Sequence, residues 1–370
     1  MMTKPGMIIT GGTGFLGARL TEICSEKFTV YSISRRANQK PNLPHGPDIH
    51  YFDADVGNFE ALRAAFERIR ELGGATILLH LAGYYDFTGE DHPEYTTTNV
   101  IGTRNVLELA VPLRLKRLFF TSSIAACPFP PPGGAVTEET PPTAPPPYSR
   151  SKRAGEELLQ RYRDQVPSCI LRLAAIFSEW CEYEPLYNFL ETWLGGGWNA
   201  RILGGCGKWA VPYLHVRDLV AFFLTVIEKC DQTQPQQVLQ ASPNGCTTVR
   251  ELYERATLHH FGAPRRWIYV PKPLARLGIG MRERWGRLTG VMPFERSWMG
   301  EYIDMKLNVD ATYTHRRLGW RPSPELSILN CIPAMIHNRR AHFAEWCRRY
   351  ERSRKGGHRH PKLSLHADRR

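Results

Sequence analysis

A tyrosine and a lysine four residues apart, in the segment Tyr148-Ser-Arg-Ser-Lys152, stand 25 positions after Ser123 in the strand-end sequence FFTSSIAA. Together these side chains could move a proton to or from an oxygen. A phenol titrates at about pH 10 in water, so a tyrosine that trades protons at neutral pH needs a fixed positive charge beside it. If the segment is helical, positions four apart share a face, and Lys152 supplies that charge and lowers the phenol's pKa. Ser123 adds a hydroxyl able to orient a carbonyl. The same spacing is common on ordinary surface helices, so the assignment depends on whether the chain builds a cofactor site around it.

The chain opens with KPGMIITGGTGFLGARL, a short apolar run followed by Gly11, Gly14 and Gly17 and then by a helical pattern. In a strand-to-helix setting the first glycine permits a tight turn and the second lets a pyrophosphate approach the backbone. The third lets helix pack on strand, with the helix N-terminus facing the phosphates. At the end of the second predicted strand, FTVYSIS, stand Ser34, Arg35 and Arg36, where NAD enzymes place a carboxylate for the ribose hydroxyls. Without that acid a 2′-phosphate is not repelled, and a guanidinium can grip it with two hydrogen bonds. NADP(H) is the expected cofactor and NAD(H) the alternative.

TGGTGFLG at 10–17, HLAG at 80–83, NVIGTRNVLE at 99–108, TSS at 121–123 and YSRSK at 148–152 together resemble the extended short-chain dehydrogenase/reductases, in content, order and spacing. The likeness runs from about residue 5 to 325, loosening through PYLHVRDLVAFF and LGWRPSPELSI, and is nearest in character to hydroxysteroid dehydrogenase-like and ketone or flavonoid reductases. It implies a Rossmann-type fold and a Ser123, Tyr148 and Lys152 triad, often completed by an asparagine that falls here at Asn99. It implies cofactor contacts from Gly11, Thr13, Gly14, Phe15, Leu16 and Gly17, from Asp55 and Val56 at the adenine, and from Leu81, Ala82 and Gly83 along the adenosine and ribose. Tyr148 and Lys152 would reach the nicotinamide end, which Arg172 to Ile176, with Ala175 as a contact, would border. The sequence there, Arg-Leu-Ala-Ala-Ile, matches neither form usual in the family. Ser123 is preferred to Ser122 because it has the family's spacing, and alternation along a strand lets only one of them face the cofactor. His80, inside a strand, is expected to be a satisfied core histidine.

Apolar runs alternate with helical periodicity along the chain, the pattern of a parallel sheet covered on both faces. IHYFDADV, TILLHLAG, KRLFFTSS and SCILRLAAIF read as further strands, NFEALRAAFERIREL as a helix starting near Asn58, and VIGTRNVLELAV as another. Prolines in CPFPPPGGAVTEETPPTAPPPY exclude helix and central strand, so this segment is a loop beside the site. The expected organisation is an α/β, Rossmann-type doubly wound parallel sheet with a smaller, mostly C-terminal substrate domain. The dinucleotide-binding domain takes residues 1–176 with a returning segment at about 210–242; the substrate domain takes 177–209 and 243–335. Residues 336–370 form a C-terminal helix and a basic tail.

Composition bounds the class. At 370 residues, 42% hydrophobic and 23% charged, the chain can fill a full core. The start MMTKPG is too short for a secretory leader, no apolar run reaches membrane-spanning length, and nine singly scattered cysteines lack metal-ligand spacing. A cytoplasmic protein without disulfides or metal is expected. From His337 to Arg370 there are eleven Lys or Arg against three acids, a surplus of eight out of the chain's net twelve. RRYERSRKGGHRHPKLSLHADRR therefore reads as a solvated basic tail, and the body has no nucleic-acid motif. A small-molecule substrate and a homodimer, the association frequent in the family, are the expected partners.

Which reaction the triad serves is narrowed by what surrounds it. The family's dehydratases follow the hydroxyl residue with Asp-Glu, whereas Ile124 and Ala125 follow Ser123. Between Phe177 and Trp209 stand eight aromatics, Phe177, Trp180, Tyr183, Tyr187, Phe189, Trp193, Trp198 and Trp209, but only Arg201 and Lys208 as bases. That suits a bulky apolar substrate better than a sugar diphosphate, unless these rings are simply core. The segment PKPLARLGIGMRERWGRLTGVMP is expected to be a helix packed on the substrate domain, or alternatively a basic amphipathic helix resting on a membrane. An alcohol dehydrogenase or ketone reductase for a steroid- or lipid-like substrate is expected, with a nucleotide-sugar epimerase retaining NAD and a non-catalytic NADP(H) sensor as alternatives.

Overall fold

The computed structural model describes residues 4–35 and 43–354; Arg36 and the basic stretch 355–370 lie outside the described residues. Seven apolar runs form one sheet: β1 (Gly6–Thr10), β2 (Thr29–Ser34), β3 (Ile49–Asp53), β4 (Ile77–His80), β5 (Arg117–Ser123), β6 (Ser168–Leu173) and β7 (Gln237–Ala241). Every pairing is parallel, and the order across the sheet is β3-β2-β1-β4-β5-β6-β7. The winding reverses between β1 and β4, which opens a crevice at the carboxyl ends of the strands.

The helices are α1 (Phe15–Cys24), α2 (Phe59–Glu71), α3 (Gly102–Ala110), α4 (Pro147–Arg161), α5 (Glu184–Leu194), α6 (Val216–Glu228), α7 (Val249–Phe261), α8 (Lys272–Thr289), α9 (Thr312–Leu318), α10 (Ile328–Ala341) and α11 (Phe343–Arg354). They cover both faces, which is why whole strands are apolar rather than alternating. Ile8, Leu78 and Phe120 pack under Leu62, Phe66, Val106 and Leu159 of α2, α3 and α4. Met7, Ile9, Leu79 and Phe119 face the opposite way, in the core that holds Leu20 of α1, Leu219 of α6 and Ile332 of α10. Each such side chain, fully buried, contributes about 1.5–3 kcal/mol.

Local rules set the helix starts near the site. Asn58 caps α2 by accepting a hydrogen bond from the Ala61 amide at 3.1 Å. The Pro-rich segment is a loop tied down where Val136 pairs with Val309. It delivers Pro147 to the first turn of α4, where a missing N–H costs nothing.

Three departures from the expected elements have local causes. SCILRLAAIF is divided at Ala174: the Ala174 amide bonds Ala241 in the main sheet, but the Ala175 amide turns to Pro212. Residues Ala175–Phe177 then pair with Tyr213–His215 in a separate ribbon. Ahead of α3, Tyr95–Ile101 winds as a π-helix. Residues 348–354, expected in a solvated tail, instead belong to α11, where Trp346 is fully buried and the Tyr350 ring stacks on Tyr187 of α5 at 3.6 Å.

Helices α5, α7 and α8 and the turn Ser297–Tyr302 gather beyond the carboxyl ends of the strands, with α5 against α7 and α8 against the turn. Among the described residues no helix is long and apolar enough to cross a membrane. Among them, too, no His, Cys, Asp and Glu cluster forms a metal site, and the nine cysteines are unbridged.

Candidate active site

One cavity of about 2230 Å³ runs along the carboxyl ends of the strands, from the glycine loop past Tyr148 to α8. Single-ligand cavities span about 300–1,000 Å³, so this one has room for a dinucleotide and a substrate together. Its near wall contains Gly11, Thr13, Gly14, Phe15, Leu16, Gly17, Ser34, Arg35, Asp55, Val56, Leu81, Ala82, Gly83 and Ala175.

The glycine loop is held too tightly for side chains. Gly11 has φ +73°, and a Cβ on it would lie 2.8 Å from the Ala82 amide; one on Gly17 would lie 2.2 Å from the Gly11 carbonyl. Ser34 fixes the loop by accepting a hydrogen bond from the Thr13 amide at 3.1 Å. Such a bare backbone cradle at the start of α1 fits a dinucleotide pyrophosphate. At the far end Arg35 stands on the surface with Nη1 3.9 Å from Asp55 Oδ2, and Asp55 Oδ1 accepts from the Gly57 amide at 2.9 Å. Both residues line the cavity where the adenosine end of a dinucleotide would lie; Arg36 is outside the described residues.

Ser123, Tyr148 and Lys152 converge on the middle of the cavity. Ser123 ends β5, while Tyr148 and Lys152 lie one turn apart on α4. The Ser123 hydroxyl lies close enough to the Tyr148 phenol to favour its ionised form. Ser122 points to the opposite face, donating to Glu156 at 2.5 Å, so strand alternation separates the two serines. Behind it Arg172 and Glu156 form a buried ion pair through two hydrogen bonds of 3.1 and 2.8 Å, which locks α4 to β6.

Electrostatics at the triad depart from one expectation. Burial pushes the Tyr148 phenol up to about 12, against a downward pull from the Ser123 hydroxyl, with Tyr85 adding to the rise. Burial pushes the Lys152 ammonium down to about 8, partly opposed by Glu156. The lysine donates to the Thr121 carbonyl at 2.9 Å and stands 5.9 Å from the Tyr148 ring centre. In this arrangement the phenol is not lowered by Lys152, as the sequence reading supposed, because desolvation dominates both groups. The ammonium abuts bare backbone: a Cβ on Gly83 would lie 3.2 Å from it.

Asn99 is outside the cavity wall. Its side chain clasps the Tyr84 backbone, accepting from the amide at 2.6 Å and donating to the carbonyl at 2.8 Å, and also bonds Ser151. It therefore ties the loop after β4 to α4. His80 is the core histidine expected: both ring nitrogens meet threonine hydroxyls, Thr10 at 2.7 Å and Thr103 at 3.0 Å, and burial drops its pKa to about 3.

Of the eight aromatics singled out in sequence, Tyr183, Phe189, Trp193, Trp198 and Trp209 line the cavity beyond Tyr148. The other three pack elsewhere: Phe177 on His215, Tyr187 on α11, and Trp180 beneath the Arg349 guanidinium. Neither Arg201 nor Lys208 is in the wall, and Arg282, which is, pairs with Glu295 at 3.3 Å. Sequence reasoning overlooked the loop after β4, where Tyr85 and Phe87 enter the cavity and Tyr85 lies 6.2 Å from the Tyr148 ring. The run Tyr84-Tyr85-Asp86-Phe87 directly after a strand's carboxyl end was the available signal. It also missed Phe294 and Trp298, whose indole donates to the Thr88 carbonyl at 3.1 Å, and Arg349, brought in from α11.

The chain has recognisable relatives among known proteins. The chain is 26% identical over 189 residues to the vaccinia virus 3 beta-hydroxysteroid dehydrogenase/Delta 5-->4-isomerase, covering 46% of this chain and 52% of the relative. It is 30% identical over 139 residues to vestitone reductase of Medicago sativa, covering 34% and 40%. An undecaprenol-linked N-acetylglucosamine 4-epimerase of Escherichia coli O157:H7 is 27% identical over 220 residues, covering 58% and 61%. The matched parts thus span less than two thirds of these curated relatives. Among solved structures, UDP-glucose 4-epimerase of Thermotoga maritima superposes with a TM-score of 0.69 at 19% identity, covering 91% of this chain and 99% of that one. The NAD complex of dTDP-glucose 4,6-dehydratase from Bacillus anthracis gives 0.67 at 20%, covering 93% and 99%. These likenesses speak for the fold. Residues 7–241, which hold the glycine loop, the seven strands and the Ser123, Tyr148 and Lys152 cluster, match the model of the NAD dependent epimerase/dehydratase family, and the chain belongs to that family.

Proposed function

We propose that this chain is an NADP(H)-dependent alcohol dehydrogenase or ketone reductase for a bulky apolar substrate of steroid or lipid type. The observation that carries it is the apolar, aromatic wall beyond Tyr148, from Phe87 and Phe189 through Trp298 to α8, where Arg282 is paired with Glu295 and Arg349, brought in from α11, with Glu345. A sugar diphosphate needs unpaired cations, whereas a fused-ring or acyl ketone needs apolar contact. The bound cofactor supplies the hydride. Tyr148, whose raised pKa keeps it protonated at neutral pH, gives its proton to the carbonyl oxygen, and Ser123 holds that oxygen by a second hydrogen bond. Lys152, beside Gly83, would hold the nicotinamide ribose, and Arg35 a 2′-phosphate.

A nucleotide-sugar epimerase is the competing reading, since the epimerase covers a larger share of this chain than the other two curated relatives compared. The test is incubation with NADPH or NADH against a pool of apolar ketones and a pool of nucleotide sugars. Ketone-dependent oxidation of NADPH, lost by about 10²-fold or more in Tyr148→Phe while cofactor still binds, supports the reductase. Sugar conversion without net cofactor consumption, or a Tyr148→Phe variant keeping most of its rate, would overturn it.

A further inference from the structure

Helix α8 leaves an apolar stripe uncovered. Leu274, Leu277, Met281, Trp285 and Leu288 are 59–81% exposed. At about 100° per residue they fall within an arc of roughly 80°. The helix's two buried residues, Glu283 and Gly286, lie on the opposite side, packed against the turn Ser297–Tyr302 and residues 291–293. The stripe thus points away from the body of the protein.

Charge identifies its occupant. Helix α8 carries Lys272, Arg276, Arg282, Arg284 and Arg287 but one acid, Glu283, which is turned inward to bond Ser297. Arg282 flanks the stripe on one side and Arg284 and Arg287 on the other. Arg282 is paired with Glu295 and Arg287 with Glu283, so the outward surface is apolar with a small net positive margin, the combination that lies at the headgroup and acyl boundary of an anionic bilayer. A second copy packed stripe to stripe would bring like charges together.

The stripe also meets the cavity. Leu274 and Met281 are in its wall, as is Trp198, 79% exposed. We infer that α8 docks on an anionic phospholipid surface with the cavity mouth facing the lipid, so that an apolar substrate passes from bilayer to active site without crossing water. The docking stands on α8 alone; the supply route rests on the apolar-substrate reading.

The test is co-sedimentation of the full chain with phosphatidylcholine vesicles and with vesicles also containing phosphatidylglycerol. It compares wild type with Leu277→Glu/Leu288→Glu, whose two positions are outside the cavity wall; retained NADPH binding checks folding. Wild type should bind the anionic vesicles and the double variant at least about tenfold more weakly. Wild type left in the supernatant, equal binding with and without the anionic lipid, or a variant that binds as well as wild type would overturn the inference. So would a wild-type dimer, seen by light scattering, that the variant dissolves. No substrate is involved, so a failed turnover assay and a failed vesicle assay are read separately.

Discussion

Replacing Lys152 by methionine should stabilise the cofactor-free protein while removing its turnover. Lys152 is 6% exposed, and burial drops its pKa from 10.5 to about 8 even with Glu156 one turn away pulling the other way. At ~1.36 kcal/mol per pH unit, that fall costs the folded state about 3 kcal/mol at neutral pH. Methionine has a similar length and no charge. It forfeits the hydrogen bond to the Thr121 carbonyl, worth ~1 kcal/mol, so the net gain is about 2 kcal/mol. The sign follows from proton linkage: the folded state prefers the neutral amine, so the penalty is complete below pH of about 8 and is relieved as pH rises to 10.5. The gap between variant and wild type should therefore narrow by ~1.4 kcal/mol per pH unit across that window. Urea titrations of both proteins without cofactor, at about pH 7 and about pH 9.5, measure it directly, since every other titrating group cancels in the difference. A variant less stable than wild type at neutral pH, or a gap that does not change with pH, would refute the reasoning.

Arg35→Glu should weaken NADPH binding by about 10–100-fold, as expected for loss of a charged hydrogen-bond partner, and leave NADH within ~3-fold; fluorescence titration with both cofactors checks this, and equal losses would remove Arg35 from cofactor choice. Glu156→Gln should cost about 3–5 kcal/mol, because it leaves the Arg172 guanidinium, 3% exposed, without its counter-charge. An unchanged urea midpoint would mean the pair contributes little.

Elements that bury whole strands or one helical stripe were legible in the sequence, because period and apolarity carry that information directly. Six of the seven strands lie within or close to the runs expected of them, β7 falling in a segment expected only to return to this domain, and Asn58 caps α2 at the helix start expected there. What escaped was set by tertiary partners. Ala174 ends β6 because its neighbour's amide finds Pro212 rather than β7, and nothing local announces this. Periodicity marks Phe177 and Phe189 alike as apolar, yet one is core and the other cavity wall, since the difference lies in which surface faces them. At the triad, residue types and spacing indicated which groups meet. The direction of their titration depended on burial, which a spacing of four cannot report.

The cavity wall contains both Gly11 and Arg349, and Arg349 rides on α11, held down by Trp346 and Tyr350 against α5. Chains fold from the N-terminus as they leave the ribosome. All strands of the sheet have emerged once Ala241 is out, so the nucleotide cradle is assembled while the segment that closes the opposite wall is still untranslated. Birth order thus places every residue of the glycine loop and of the Ser123, Tyr148 and Lys152 cluster ahead of the segment that closes the far side of the cavity.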